Sequence, residues 1–111
     1  MIELVEPYDI VVKNKKFYAG TGEYVGRPSI LGNPFTIGQN GTTTREDAIR
    51  RYDEWLGNQL QSNVQVQDYV IQLINQIEQR RHLTLICWCS PLPCHADIIK
   101  NKLLEILNED Y

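Results

Sequence analysis

The chain has 111 residues, 42% hydrophobic and 23% charged, with a formal net charge of -3. That is the length of one compact domain, 1–111, with apolar material for a modest core, and the negative balance disfavours an extended surface gripping duplex nucleic acid. No run of about 18 apolar residues is present to span a membrane, and the acidic start "MIELVEPYDI" lacks the basic end and apolar run of a signal peptide, so a cytoplasmic location is expected.

In chain order, "DIVVK" reads as a short strand. "KFYAGTGEYVG" follows with Phe17, Tyr18, Tyr24 and Val25 around a Gly-rich turn, the pattern of an N-terminal hairpin. "KNKK", Lys13 to Lys16, reads either as a solvated turn or as a contact for one or two phosphates. From Gly26 to Thr44 periodicity disappears; a loop this long in a small domain is either functional or disordered. Ile30, Leu31, Phe35 and Ile37 argue for a packed loop that lines something.

Thr43 stands three residues before Glu46, as in a capping box, and Ala48, Ile49, Tyr52, Trp55, Leu56 and Leu60 recur at helical spacing. Gly57 and the polar "GNQLQSN" suggest that this helix ends early. Val66, Tyr69, Val70, Leu73, Ile74 and Ile77 mark a second helix, closing on Arg80 and Arg81, where cations suit the negative helix end. "LTLICW" has the nearly continuous apolar character of a central strand buried on both faces. A last helix, from His95 to about Asn108, carries Ile98, Ile99, Leu103, Ile106 and Leu107 on its buried side. The order of elements predicts an α/β fold, a small Rossmann-like sandwich with a mainly parallel sheet, flanking helices and the N-terminal hairpin.

All three cysteines fall between Cys87 and Cys94. An odd number so crowded is no disulfide framework of a secreted protein, and the thiols are expected to be reduced. A strand entering a Pro-bearing turn and then a helix puts that turn at the carboxyl end of the sheet, where open α/β folds bind ligands. Pro91 and Pro93 stiffen it, and the helix start offers unpaired N–H groups to an anion.

Three chemistries fit the turn. Cys87, Cys89, Cys94 and His95 have donors for zinc, but their spacing departs from the paired cysteines of structural zinc sites, and neither a metal nor a cofactor is expected. Cys94 at a helix start would have a lowered thiol pKa and act as a nucleophile, with Cys89 the next choice. His95 is a poor base for Cys94, because adjacent helical residues point about 100° apart, but it can reach Cys89. Alternatively Cys87 is a small core residue, Trp88 packs on the other face, and Cys94 and His95 simply begin a helix. Asp97 in the first turn favours the helix dipole, and its carboxylate could equally accept a ribose hydroxyl or a base N–H.

Opposite this turn, "GRPSILGNPF" combines a guanidinium, a hydroxyl, an amide, two glycines and an aromatic within ten residues. Arg27 can fork onto a phosphate or carboxylate, Ser29 adds a hydroxyl, Asn33 can read a base or sugar edge, and Phe35, Tyr24 or Trp88 can stack. The same residues are also ordinary turn chemistry.

"YVGRPSILGNPF", followed about fifty residues later by "CWCSPLPCHAD", resembles a family of short domains of unknown function from phages and bacteria with GRPS-x-LGNPF and CWC-x-P-x-x-CHGD signatures. Ala96 stands where that family has glycine. The layout is similar to small domains that handle nucleotides or nucleotide-derived signals, a fold-level analogy.

The sequence shows no paired carboxylates in one motif, no Walker loop and no His-x-Glu deaminase signature. The expected function is therefore capture of a nucleotide or ADP-ribose-type small molecule between the two motifs, as a phage anti-defence protein would require. Tyr24, Arg27, Ser29, Asn33, Phe35, Trp88, Cys89, Ser90, Cys94, His95 and Asp97 are the ligand-binding residues. Alternatives are an enzyme acting on a nucleotide or nucleoside through Cys89, Cys94 or Asp97, and a zinc-stabilised interaction module; a homo-oligomer is left open.

Overall fold

A computed structural model of the chain describes residues 8–38, 44–89, 92 and 94–109. Three strands, β1 (Asp9–Asn14), β2 (Glu23–Tyr24) and β3 (His82–Cys87), form a sheet of order β1-β3-β2. Both outer strands run parallel to β3, with Asp9 opposite His82 and Tyr24 opposite Ile86. The expected parallel sheet with flanking helices is present: α1 (Arg45–Ser62), α2 (Val64–Arg80) and α3 (His95–Glu109) complete an α/β fold.

The expected N-terminal hairpin is not formed. β3 lies between β1 and β2, so the Gly-rich stretch after β1 is a crossover rather than a turn. The reason is burial. Leu83 to Cys87 is the most apolar segment and takes the centre, where both its edges are paired. Gly22 lies against β3, and a Cβ there would stand 2.8 Å from the Thr84 carbonyl oxygen, so the crossover can run this close only without a side chain.

Thr44 caps α1: its hydroxyl accepts from the Asp47 N–H at 3.0 Å. The capping box expected from Thr43 is thus offset by one position, and Thr43 itself is outside the described residues. α1 does not end at Gly57 but runs through the polar stretch to Ser62. A single residue then ends one helix and starts the next. The Asn63 backbone N–H bonds to the Gln59 carbonyl, while its side-chain oxygen accepts from Gln65 and Val66.

One contiguous core joins Tyr52 and Leu56 of α1, Val66, Val70, Leu73 and Ile77 of α2, and Ile99, Leu103 and Leu107 of α3. These helices meet the sheet face bearing Ile10, Leu83, Leu85 and Cys87. At the end of α2, Arg81 takes the left-handed conformation (φ 60°), its N–H closing onto the Ile77 carbonyl, and the chain turns into β3.

Candidate functional site

Because all three strands are parallel, their carboxyl ends lie together. This brings the segment after Tyr24 beside the segment after Cys87, although some sixty residues separate them in the chain. Pairing continues one step past β2, with the Val25 N–H on the Ile86 carbonyl at 2.9 Å. On the other side, Lys15 N–H bonds to the Cys87 carbonyl at 2.7 Å and the Asn14 amide to the Trp88 carbonyl at 3.0 Å. The start of the cysteine turn is therefore held from both edge strands.

The loop after β2 is organised by its own polar side chains. The Arg27 Nε donates to the Asn33 carbonyl at 2.6 Å and its Nη2 reaches the Phe35 carbonyl at 3.5 Å. Asn33 is buried; its side-chain oxygen accepts from the Phe35 N–H at 2.8 Å and its Nδ2 donates to the Ala48 carbonyl of α1 at 3.4 Å. Tyr52, buried in α1, donates its hydroxyl to the Leu31 carbonyl at 2.7 Å. Burial pushes the Tyr52 phenol well above its ordinary value, so the donor stays protonated. The amide and half of the guanidinium fork, which the sequence suggested for ligand recognition, are thus engaged in giving the loop its shape.

Between this loop, the start of α1 and the cysteine turn lies a cavity of about 470 Å³. Its volume is in the range of small-molecule sites. Of the residues expected to bind a ligand, Tyr24, Arg27, Asn33, Phe35, Trp88, Cys89, Cys94 and His95 line it. Ser29 and Asp97 are not among its wall residues: the Ser29 hydroxyl oxygen is buried without a hydrogen-bond partner among the described residues, and the Asp97 carboxylate accepts from the Cys94 N–H at 3.0 Å, capping α3. Ser90, Pro91 and Pro93 fall outside the described residues.

The wall also includes Ile37, from the loop expected to line something, and Thr36, Arg45, Ala48 and Ile49, which sequence reasoning missed. Arg45, Ala48 and Ile49 share one face at i, i+3, i+4 spacing, so the signal was present, but Ala48 and Ile49 read only as part of an apolar helix stripe.

Trp88 is 55% exposed and does not pack into the interior. Its indole N–H donates to the Tyr24 hydroxyl at 2.9 Å, and that hydroxyl donates to the Arg27 carbonyl at 2.7 Å. Two rings are thereby fixed at the cavity wall. The Lys15 ammonium stands 4.8 Å from the Tyr24 ring centroid and 6.0 Å from that of Trp88.

The cysteine chemistry differs from expectation in two ways. Cys94 precedes α3 rather than lying within it, so the helical offset does not apply, and its Sγ lies 3.3 Å from His95 Nδ1. The Ala96 N–H at the helix start does favour the thiolate, but it is outweighed. Contact with the Cys87 thiol and burial push Cys94 far up, leaving a protonated thiol that is 2% exposed. His95 Nε2 lies 2.6 Å from the Val25 carbonyl, which can only accept; the ring is therefore protonated at Nε2 and Nδ1 is left to accept from the thiol. Burial lowers the His95 pKa and favours this neutral ring. Nδ1 is thus within reach of the Cys94 proton, as a base must be, but a thiol pushed up beside a ring pushed down keeps the proton on sulfur, and neither nitrogen is left over for Cys89. Among the described residues, no group of three or more His, Cys, Asp or Glu side chains is arranged to hold a metal ion.

A second polar constellation lies at the opposite end of the sheet. His82 bridges Asp9 and Thr84, with Nδ1 2.9 Å from Asp9 Oδ2 and Nε2 2.9 Å from Thr84 Oγ1. The order resembles a hydrolytic triad, but Thr84 is buried in the central strand beneath Gly22, and an attacking hydroxyl needs open approach. The large cavity at the strand ends is the better candidate.

Comparison with the curated proteins and with the solved structures gives no significant match. A family match does cover residues 10–105, from β1 to the last turns of α3, and so takes in both walls of the cavity. The chain belongs to the family described as the domain of unknown function DUF4326.

Proposed function

We propose that the cleft captures a nucleotide-derived small molecule, in the class that includes ADP-ribose derivatives, and releases it unchanged. The observation that carries this reading is the fixed Trp88–Tyr24 pair beside a cavity also lined by Arg27 and Arg45. An indole that is exposed yet held by its N–H offers a planar face already in position for a base. Guanidiniums suit phosphate better than any other side chain. The likeness of the parallel sheet to Rossmann-like nucleotide domains, whose ligands sit at the strand ends, belongs to the same proposal, as does a role in sequestering a signalling nucleotide.

Capture is favoured over conversion by the state of the cysteine turn. His95 Nδ1 stands 3.3 Å from the Cys94 Sγ, but contact with the Cys87 thiol and burial favour the protonated Cys94 thiol, and burial disfavours a charged His95 ring, so a thiolate–imidazolium pair is disfavoured there.

A thermal-shift and calorimetric panel of nucleotides and ADP-ribose derivatives tests the reading. At least one member should stabilise the protein by about 2.7 kcal/mol at a hundred times its dissociation constant. Trp88→Ala should weaken that ligand by tenfold or more while the protein remains folded. Ligand recovered after denaturing the complex should be chemically intact. Silence across the panel, undiminished binding by the variant, or turnover beyond one equivalent would each refute capture at this site.

A further inference from the structure

Resting on the capture reading above, we infer that the cleft takes its ligand by the face of a base and not by its edge, so that neutral purines bind as a class, adenine and guanine alike, ahead of pyrimidines and of cationic bases. Telling one purine from another takes donors and acceptors free to meet the edge of the ring. The polar side chains of this wall are instead committed within the fold. The Trp88 indole N–H goes to the Tyr24 hydroxyl, and the proton of that hydroxyl to the Arg27 carbonyl. The Asn33 amide is bonded at both ends, to the Phe35 N–H and the Ala48 carbonyl. His95 is bonded at both ring nitrogens, to the Val25 carbonyl and the Cys94 thiol. Reading a base edge with any of these groups would break a bond already made inside the protein, so each bond gained would be one lost.

Of the other polar groups on the wall, the Thr36 hydroxyl can donate or accept and so suits either purine. Arg27 spends its Nε and Nη2 on loop carbonyls, and Arg45 likewise interacts within the protein. What the wall offers a base is ring and apolar surface: Trp88, exposed and held by its N–H, with Tyr24, Phe35 and Ile49 on the same wall. Stacking on such a surface grows with the area of the base and ignores the pattern along its edge, since every base has a π-face. A two-ring purine therefore gains over a one-ring pyrimidine. Lys15 sets the charge. Its ammonium, 4.8 Å from the Tyr24 ring centroid and 6.0 Å from that of Trp88, already takes the attraction these rings hold for a cation. A base with its own positive charge would stack beside that ammonium and be repelled.

Calorimetry with ADP, GDP, IDP, CDP, UDP and the cationic N7-methyl form of GDP, a series that holds the ribose and phosphates constant, decides the matter, with ADP-ribose run beside it. The three neutral purines should agree within about threefold, while CDP, UDP and the methylated GDP should each bind about tenfold more weakly. Trp88→Ala should erase the purine advantage and Trp88→Phe should keep it, with melting temperatures reporting that both variants are folded. If one is not, the series on the unaltered protein carries the decision. Lys15→Met should narrow the gap between GDP and its methylated form and leave the ratio of ADP to GDP unchanged. A wider difference between ADP and GDP, or equal affinity for purines and pyrimidines, overturns this inference and leaves capture standing. Methylated GDP binding as tightly as GDP overturns the part given to Lys15. ADP-ribose bound while every diphosphate is refused places recognition at the sugar end and overturns the inference. No binding by any member, ADP-ribose included, overturns both readings.

Discussion

Cys94 and His95 are neighbours in the chain whose side chains also meet, Sγ to Nδ1 at 3.3 Å, while the far nitrogen of the same ring reaches back 2.6 Å to the Val25 carbonyl at the end of β2. One imidazole thus ties the start of α3 to the loop that forms the opposite wall of the cleft, and packs edge-on against Tyr52, with ring centroids 5.1 Å apart. That arrangement requires the neutral ring.

Stability should therefore depend on pH through His95. Burial lowers its pKa in the fold below the ordinary value of 6.5; the Arg27 charge acts in the same direction and Asp97 against it. Between the folded value and 6.5 the unfolded chain binds more protons, so stability rises with pH across that window. The contribution is complete above 6.5 and declines as pH falls below it. Melting temperatures measured from pH 7.5 down to 5 should show the decline, and His95→Gln should flatten it. An equal slope in both proteins would place the effect elsewhere.

Thiol reactivity should rank by exposure. Cys87 and Cys94 are buried, and Cys89 is half-buried on the cavity wall. Native protein treated with iodoacetamide should be alkylated at Cys89 first, with Cys94 unreactive until the protein unfolds. A nucleotide bound in the cleft should slow the reaction at Cys89. Rapid labelling of Cys94 in the native state would contradict its protonated, enclosed position.

Tyr52→Phe isolates one hydrogen bond across the loop. The substitution keeps the ring packed and leaves the Leu31 carbonyl, in a buried residue, without its donor at 2.7 Å. The expected loss is about 1–3 kcal/mol, the penalty of an unpaired buried polar group. Denaturant unfolding gives the number, and ligand affinity should fall with it because the loop is the cavity wall.

Two glycines should respond to alanine with opposite signs. At Gly22 a Cβ meets the Thr84 backbone oxygen at 2.8 Å, an atom of the central strand that cannot move aside, and Gly22→Ala should destabilise by about 1–3 kcal/mol. At Gly57, inside α1, nothing lies within 4 Å of the added atom. Gly57→Ala should stabilise by about 0.5–1 kcal/mol, through helix propensity alone. Chemical denaturation of the two variants beside the parent settles both signs.

What the sequence by itself determined is local and periodic. The apolar stripe of Tyr52, Leu56, Val66, Leu73 and Ile77, and the nearly continuous apolar run from Leu83 to Cys87, are written at the spacings of their elements, and burial of these faces follows directly. The two motifs were also legible as candidate walls of one site, although the same residues are ordinary turn chemistry. Tertiary structure alone decided which strand stands between which: the Gly-rich segment after β1 suits a hairpin and a crossover equally, and the choice rests on where β3 buries its edges. It alone decided the roles within the site as well. Arg27 and Asn33 hold the loop because carbonyls distant in the chain come within reach, Asp97 is taken up by the Cys94 N–H, and Arg45 joins the wall from another element. Hydrogen-bond partners and protonation states depend on neighbours brought together in space, and no pattern along the chain contains them.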